Sequence, residues 1–177
     1  MDWSAGAIAE YRQSKKCRFQ NSDFYFKNGI GIPMIRSSKL TGALIEGRLF
    51  DQSIVGVFPK DETWVYYLLG FFNSSVCTEL INAINPSTNN SANYIKKIPF
   101  VTPCEDVKFK VDVLVKKIVA TLKSGKSDIN EYRKEIDEIF SNLYFNNVGA
   151  DTKKTRASKS TPRQLNFLDS PTSVLVM

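Results

Sequence analysis

Apolar positions along the chain change their spacing three times. Between residues 17 and 63 they come in short runs, Phe24-Tyr25-Phe26 and Ser53-Ile54-Val55-Gly56-Val57-Phe58 among them, broken by Asn28-Gly29, Gly31, Gly42, Gly47 and Pro59. Such runs predict strands, and Asn28-Gly29 predicts a tight turn because both residues tolerate a positive φ. After Lys60-Asp61-Glu62-Thr63 the spacing lengthens, and Trp64, Leu68, Phe71, Phe72, Val76, Leu80 and Ile84 recur at steps of mostly three or four. That stripe predicts one long helix with a buried face. Asp61 is its N-cap, Glu62 suits the positive end of its dipole, and Pro86 stops it. A polar segment follows, INPSTNNSANYIKKIPF, whose Tyr94–Pro99 part reads as a short strand or turn.

Helical spacing returns at Cys104. One amphipathic helix, VKFKVDVLVKKIVATLKSG, closes at Gly125, and Ser127-Asp128-Ile129-Asn130-Glu131 offers a capping start for a second. The second carries Tyr132, Ile136, Ile139, Phe140 and Leu143 on one face, and the short loop between the two predicts an antiparallel pair. From residue 148 the periodicity ends. Lys153, Lys154, Arg156, Lys159 and Arg163 stand among Ser, Thr and Pro, which predicts a flexible basic tail. The expected fold is α+β: a small mixed or antiparallel sheet with a packed long helix, then a C-terminal antiparallel helix pair and the tail. The boundaries fall at residues 1–103, 104–147 and 148–177.

Composition narrows the function. A net charge of +6 suits a polyanionic partner. The chain has no histidine, which removes the commonest general base, every Ser/His or Cys/His nucleophile pair and most zinc sites. Cys17, Cys77 and Cys104 are odd in number and far apart, so no disulfide framework is expected. No signal peptide opens the chain and the apolar run Trp64–Phe72 is far short of a membrane span, so a cytoplasmic protein without membrane contact is expected.

Asn85-Pro86 is half of the Asn-Pro-Pro-aromatic loop that holds an extruded adenine for methylation, but Ser87-Thr88 follow where the second proline and the ring belong. No glycine-rich strand-to-helix turn for S-adenosylmethionine, and no phosphate-binding G-x-x-x-x-G-K-[ST] loop, is present. Asp51, Asp61 and Glu62 are not grouped as a metal-dependent nuclease requires. The chain itself is therefore read as non-catalytic.

The order of the motifs carries a resemblance. Lys27-Asn28-Gly29-Ile30, Arg36-Ser37-Ser38-Lys39-Leu40, Glu46-Gly47, Leu49-Phe50-Asp51, Val57-Phe58-Pro59 and Tyr66-Tyr67-Leu68-Leu69-Gly70-Phe71-Phe72-Asn73-Ser74 succeed one another. Asn85-Pro86-Ser87, Asn89, Ile95 and Ile98-Pro99 continue the series, and Glu135-Ile136-Asp137-Glu138-Ile139 with Leu143-Tyr144 ends it. Over residues 25–145 this resembles the C-terminal target-recognition region of adenine-specific DNA methyltransferases, of the BREX PglX kind and the type IIG, Eco57I-like kind. Where that family has an aromatic after Gly-Ile, this chain reads Gly29-Ile30-Gly31-Ile32, and Arg48 lies near the place of the family's arginine.

The resemblance implies a sequence-specificity module of a restriction-modification or phage-defence system. It would read double-stranded DNA for a methyltransferase catalytic domain or subunit that holds S-adenosylmethionine, with no cofactor or metal in this chain. Candidate DNA contacts are Lys27, Arg36, Ser37, Lys39, Arg48 and Gln52 from the β part, and Asn89, Asn90, Asn93, Lys96 and Lys97 from the polar segment. Arg36 and Arg48 are the expected base readers, because a guanidinium grips guanine through two bonds, and Lys96-Lys97 are expected on phosphates. The aromatic stripe of Trp64, Tyr67, Phe71 and Phe72 is expected in the core, not stacked on bases. The helix pair is expected to meet another domain or a second copy. The competing reading is a protein-interaction module without direct DNA contact.

Overall fold

The computed structural model describes residue 2 and residues 4–14, 21–146 and 174–176. The fold is α+β. A short helix α1 (Ala5–Gln13) opens it; no periodicity in that stretch had predicted a helix, and Ser4 starts it by accepting from the Ala7 N–H at 3.3 Å. Three strands follow, β1 (Gly29–Pro33), β2 (Ala43–Ile45) and β3 (Ile54–Pro59). After them come helices α2 (Val65–Phe72), α3 (Ser75–Ile84), α4 (Ala92–Ile95), α5 (Glu105–Lys123) and α6 (Asn130–Phe145), and a last strand β4 (Val174–Val176). The sheet order is β2-β1-β3-β4, every pair antiparallel.

Side chains alternate across β1 and β3, and this sorts the sheet into two faces. Ile30, Ile32, Val55 and Val57, paired Ile30–Val57 and Ile32–Val55, point to the main core with 0–2% exposure. The other face is built around glycine. A Cβ on Gly29 would stand 2.6 Å from the Phe58 ring, and one on Gly56 also 2.6 Å, so both positions must lack one for Phe58 to lie flat there. Phe58 then packs, tilted, against Phe24 at 5.0 Å and Phe50 at 5.5 Å, a small aromatic layer separate from the main core.

Asn28-Gly29 is not the expected turn. Gly29 begins β1, and the chain reverses at Tyr25-Phe26, where Phe26 takes a φ of 60° after a 3-10 turn at Ser22–Phe24. The run Phe24-Tyr25-Phe26 is therefore not a strand; the Phe24 and Tyr25 rings meet Phe58 and Phe50.

The long helix predicted from Trp64 to Ile84 is two helices. Asp61 does cap its start, accepting from the Thr63 N–H at 2.9 Å, but a 3-10 turn over Glu62–Trp64 leads into α2. At Asn73 the helix breaks, and Ser74 re-caps by accepting from the Cys77 N–H at 3.1 Å. Asp137 of α6 accepts from the Ser75 N–H at 2.7 Å, placing a carboxylate on the new helix's positive end. The Asn73 amide bonds Gly42 in both directions, Nδ2 to its carbonyl at 2.9 Å and Oδ1 from its N–H at 3.2 Å.

Seven of the eight residues of α2 are buried. One side meets β1 and the other meets α5 and α6. Phe71 lies 5.5 Å from Phe140 and stacks on Tyr144 at 5.5 Å, and Tyr67 meets Phe140 edge-on at 5.4 Å. Burying each such ring contributes roughly 2 to 3 kcal/mol. The α5–α6 pair is antiparallel: Lys117 lies over Tyr132 while Lys110, nearer the start of α5, pairs with Glu135 further along α6.

The apolar faces of the pair are covered in large part by this chain's own α2 and α3, while Phe109 and Phe145 stay exposed. Helix α6 starts at Asn130 with Ile129 as N-cap and no capping side chain, where a Ser/Asp cap was expected. The Tyr94–Pro99 stretch holds no strand; α4 ends at Ile95 and a turn follows. The basic residues of the predicted tail lie outside the described residues, but Val174–Val176 within it form a strand. Among the described residues no helix is long and apolar enough to cross a membrane.

At Gly70 α2 meets α5 closely: a Cβ there would stand 2.9 Å from Val115 Cγ2 and 3.1 Å from Val111 Cγ1. Gly70→Val should cost about 1 to 3 kcal/mol by overpacking this contact, read as a lower urea midpoint with unchanged slope. Cys77 is fully buried and its burial pushes the thiol far above the usual range. In a chain with Cys17 and Cys104 replaced by Ser, a thiol reagent should therefore label Cys77 only after denaturant is added.

Candidate nucleic-acid interface

Two polar segments distant in sequence are joined beside the sheet. Beyond β1, Met34–Arg36 run antiparallel to Thr88–Asn90. The Arg36 N–H donates to Thr88 O at 3.0 Å, and the Asn90 N–H to Met34 O at 2.6 Å. The Asn85-Pro86-Ser87 turn is organised by its own side chains. Asn85 Oδ1 accepts from the Ser87 N–H at 3.1 Å and from the Ser87 hydroxyl at 2.8 Å, and Asn85 Nδ2 donates to Asn89 O at 2.7 Å.

Arg36 fastens this turn to the sheet. Its Nη2 donates to Asn85 O at 2.7 Å and to Ser87 O at 2.8 Å, and the residue is only 7% exposed. Its other terminal nitrogen, Nη1, is buried with no partner among the described residues. The expectation that Arg36 reads a base is corrected: the guanidinium faces inward and is committed to two carbonyls. Asn90 is corrected likewise. It is 1% exposed, and its Nδ2 donates to Pro33 O at 3.3 Å, which fixes it inside the same clasp.

The remaining candidates are exposed and form two groups. Ser37, Lys39 and Asn89 lie on the clasp's own turns, and Asn93, Lys96 and Lys97 lie on α4 or just after it, with Lys97 Nζ 5.9 Å from the Tyr94 ring. Lys27, Arg48 and Gln52 lie on the turns that flank the sheet's outer face. Lys27 Nζ sits 5.3 Å from the Phe24 ring, and a Cβ on Gly47, next to Arg48, would stand 3.8 Å from the Phe26 carbonyl oxygen.

Arg48 also lines an open groove of about 660 Å³, floored by Gly31, Pro33, Ile45 and Ile54 and edged by Leu49, Phe50 and Asp51. Asp51 accepts from the Ser53 hydroxyl and, at 2.8 Å, from the Ser53 N–H. These bonds hold its carboxyl below the ordinary range. The stitch is therefore complete above the ordinary carboxylate pKa of 3.8 and is lost as pH falls through the lower folded value.

Chemically the surface can grip anions with lysine and arginine and offer amide and hydroxyl groups to base edges. Among the described residues, no group of His, Cys, Asp and Glu is arranged to hold a metal. Trp64, Tyr67, Phe71 and Phe72 are buried in the core, so the aromatic stripe offers no stacking platform. Comparison of the chain with protein-family models, curated proteins and solved structures finds no match.

Arg36→Ala would strand the buried Asn85 carbonyl and loosen the turn. It should lower stability by about 2 kcal/mol, whereas Arg48→Ala, at an exposed position, should change it by less than about 0.5 kcal/mol, both read from urea unfolding.

Proposed function

We propose that the chain is the DNA sequence-recognition module of an adenine-N6 DNA methyltransferase, of a restriction-modification or BREX-like phage-defence system, and is itself non-catalytic. The observation that carries this reading is the clasp. It brings the Arg36–Lys39 turn and the Asn85–Lys97 segment, two stretches of the family-like motif order, onto one support. From that support Ser37, Lys39, Asn89, Asn93, Lys96 and Lys97 project into solvent. A fixed scaffold bearing exposed cations and amides is what phosphate docking and base reading require.

In this mechanism Lys39, Lys96 and Lys97 dock on phosphates, and Asn89, Asn93 and Arg48 reach base edges. The catalytic domain, which holds S-adenosylmethionine, extrudes and methylates the adenine. Phe109 at 71% and Phe145 at 61% exposure, on the helix pair, give that domain or a second copy an apolar surface to meet.

The test is a fluorescence titration of labelled duplexes at about 50 and 200 mM salt. Affinity should fall roughly 100-fold between them, as release of about four counterions requires. Lys96→Ala/Lys97→Ala should reduce the salt slope by about two, and Arg48→Ala should cost about 1 to 3 kcal/mol of discrimination between sequences. Absence of binding at the lower salt would overturn the reading in favour of a protein-interaction module.

A further inference from the structure

Strand β3 has two neighbours that scarcely overlap on it. β1 pairs with Ile54–Val57, and β4 pairs with Val57–Pro59, in the register Val57–Val176, Phe58–Leu175 and Pro59–Val174. The second pairing joins positions 115 to 119 apart in sequence. It consists of three residues, about half an ordinary strand, held against the entropy of closing the chain between Asn146 and Val174. The register makes Ile30–Val57 a hydrogen-bonded pair, so Phe58 directs its N–H and carbonyl toward β4. Without β4, the Phe58 N–H and carbonyl would be left unpaired on a strand whose residues are buried, the kind of edge that recruits another strand.

We propose that the Val57–Pro59 edge of β3 is a strand-acceptor site for a short, extended, apolar peptide. Val174–Val176 fill it in cis, and the site takes the same strand from a second copy of this chain once its own has been released. Backbone pairing supplies the attraction and does not depend on whether the strand is tethered. Val-Leu-Val combines high strand preference with no charge and no proline, so it suits this edge in either arrangement. The proposal is independent of DNA reading.

The experiment uses the full chain and its Val174→Pro/Leu175→Pro variant. Neighbouring residues of a strand aim their N–H groups to opposite sides, so one of the two prolines removes a ladder donor whatever the parity. A fluorescent peptide with the sequence Thr172–Met177 should bind the variant saturably and the wild type at least tenfold more weakly. The peptide bearing both prolines should bind neither protein. A variant with wild-type circular dichroism that ignores the peptide overturns the proposal.

Amide exchange in the wild type supplies a second readout that needs no variant. Val57 directs its N–H to β1 and Phe58 to β4, so Val57 serves as the internal reference and Phe58 should be protected as well. Exchange of the Phe58 N–H at the free-chain rate would overturn the proposal.

Discussion

The structure turns on the burial of α2. Two turns of helix with Tyr67, Leu68, Phe71 and Phe72 at 0% exposure cannot rest on a single surface. A helix apolar on all sides has to be enclosed. The sheet provides one wall through Ile30, Ile32, Val55 and Val57, and α5 with α6 provides the other. Gly70 lets the second wall close, since its missing side chain is the space into which Val111 and Val115 fit. The break at Asn73 follows from the same enclosure. A straight continuation would keep α3 in line with α2, whereas the re-start at Ser74 lets α3 pack on α6 through Asp137.

On this frame the clasp is a polar structure with an unusual charge arrangement. Arg36 is buried against carbonyl oxygens and, among the described residues, is in no ion pair. Carbonyl dipoles satisfy two of its donors but do not neutralise it. Its charge therefore adds to the field over Ser87–Asn89, together with exposed Lys96 and Lys97 nearby in the chain. Arginine suits the position better than lysine, because one planar nitrogen meets two acceptors while the long stem remains packed.

The parts legible in the sequence are those set by local pattern. The stripe of Trp64, Leu68, Phe71, Phe72 and Val76, the faces of α5 and α6, and the strand at Ile54–Phe58 all lie where periodicity placed them. The helix break was signalled by Asn73-Ser74-Ser75, but a stripe that keeps its spacing through the break conceals it. Helix α1 has little apolar periodicity to announce it. Arg36 and Asn90 were misread for a different reason. Their partners Asn85, Ser87 and Pro33 lie 49 to 57 positions away, and no local feature separates a buried arginine from an exposed one. Lys27, Ser37, Lys39, Arg48, Gln52, Asn89, Asn93, Lys96 and Lys97 are on the surface, as residues of their type usually are.

The pairing of Ile35 with Asn89 has a consequence for how such a surface can change. Segments 34–36 and 85–90 share backbone bonds and one guanidinium, so a one-residue insertion in either would shift every partner in the other. The two turns therefore behave as a single heritable cassette. A recombinant that transplants 34–40 without 85–97 would carry mismatched halves, while point changes at the outward-facing positions would be tolerated. Diversification here would proceed by substitution on a constant-length frame.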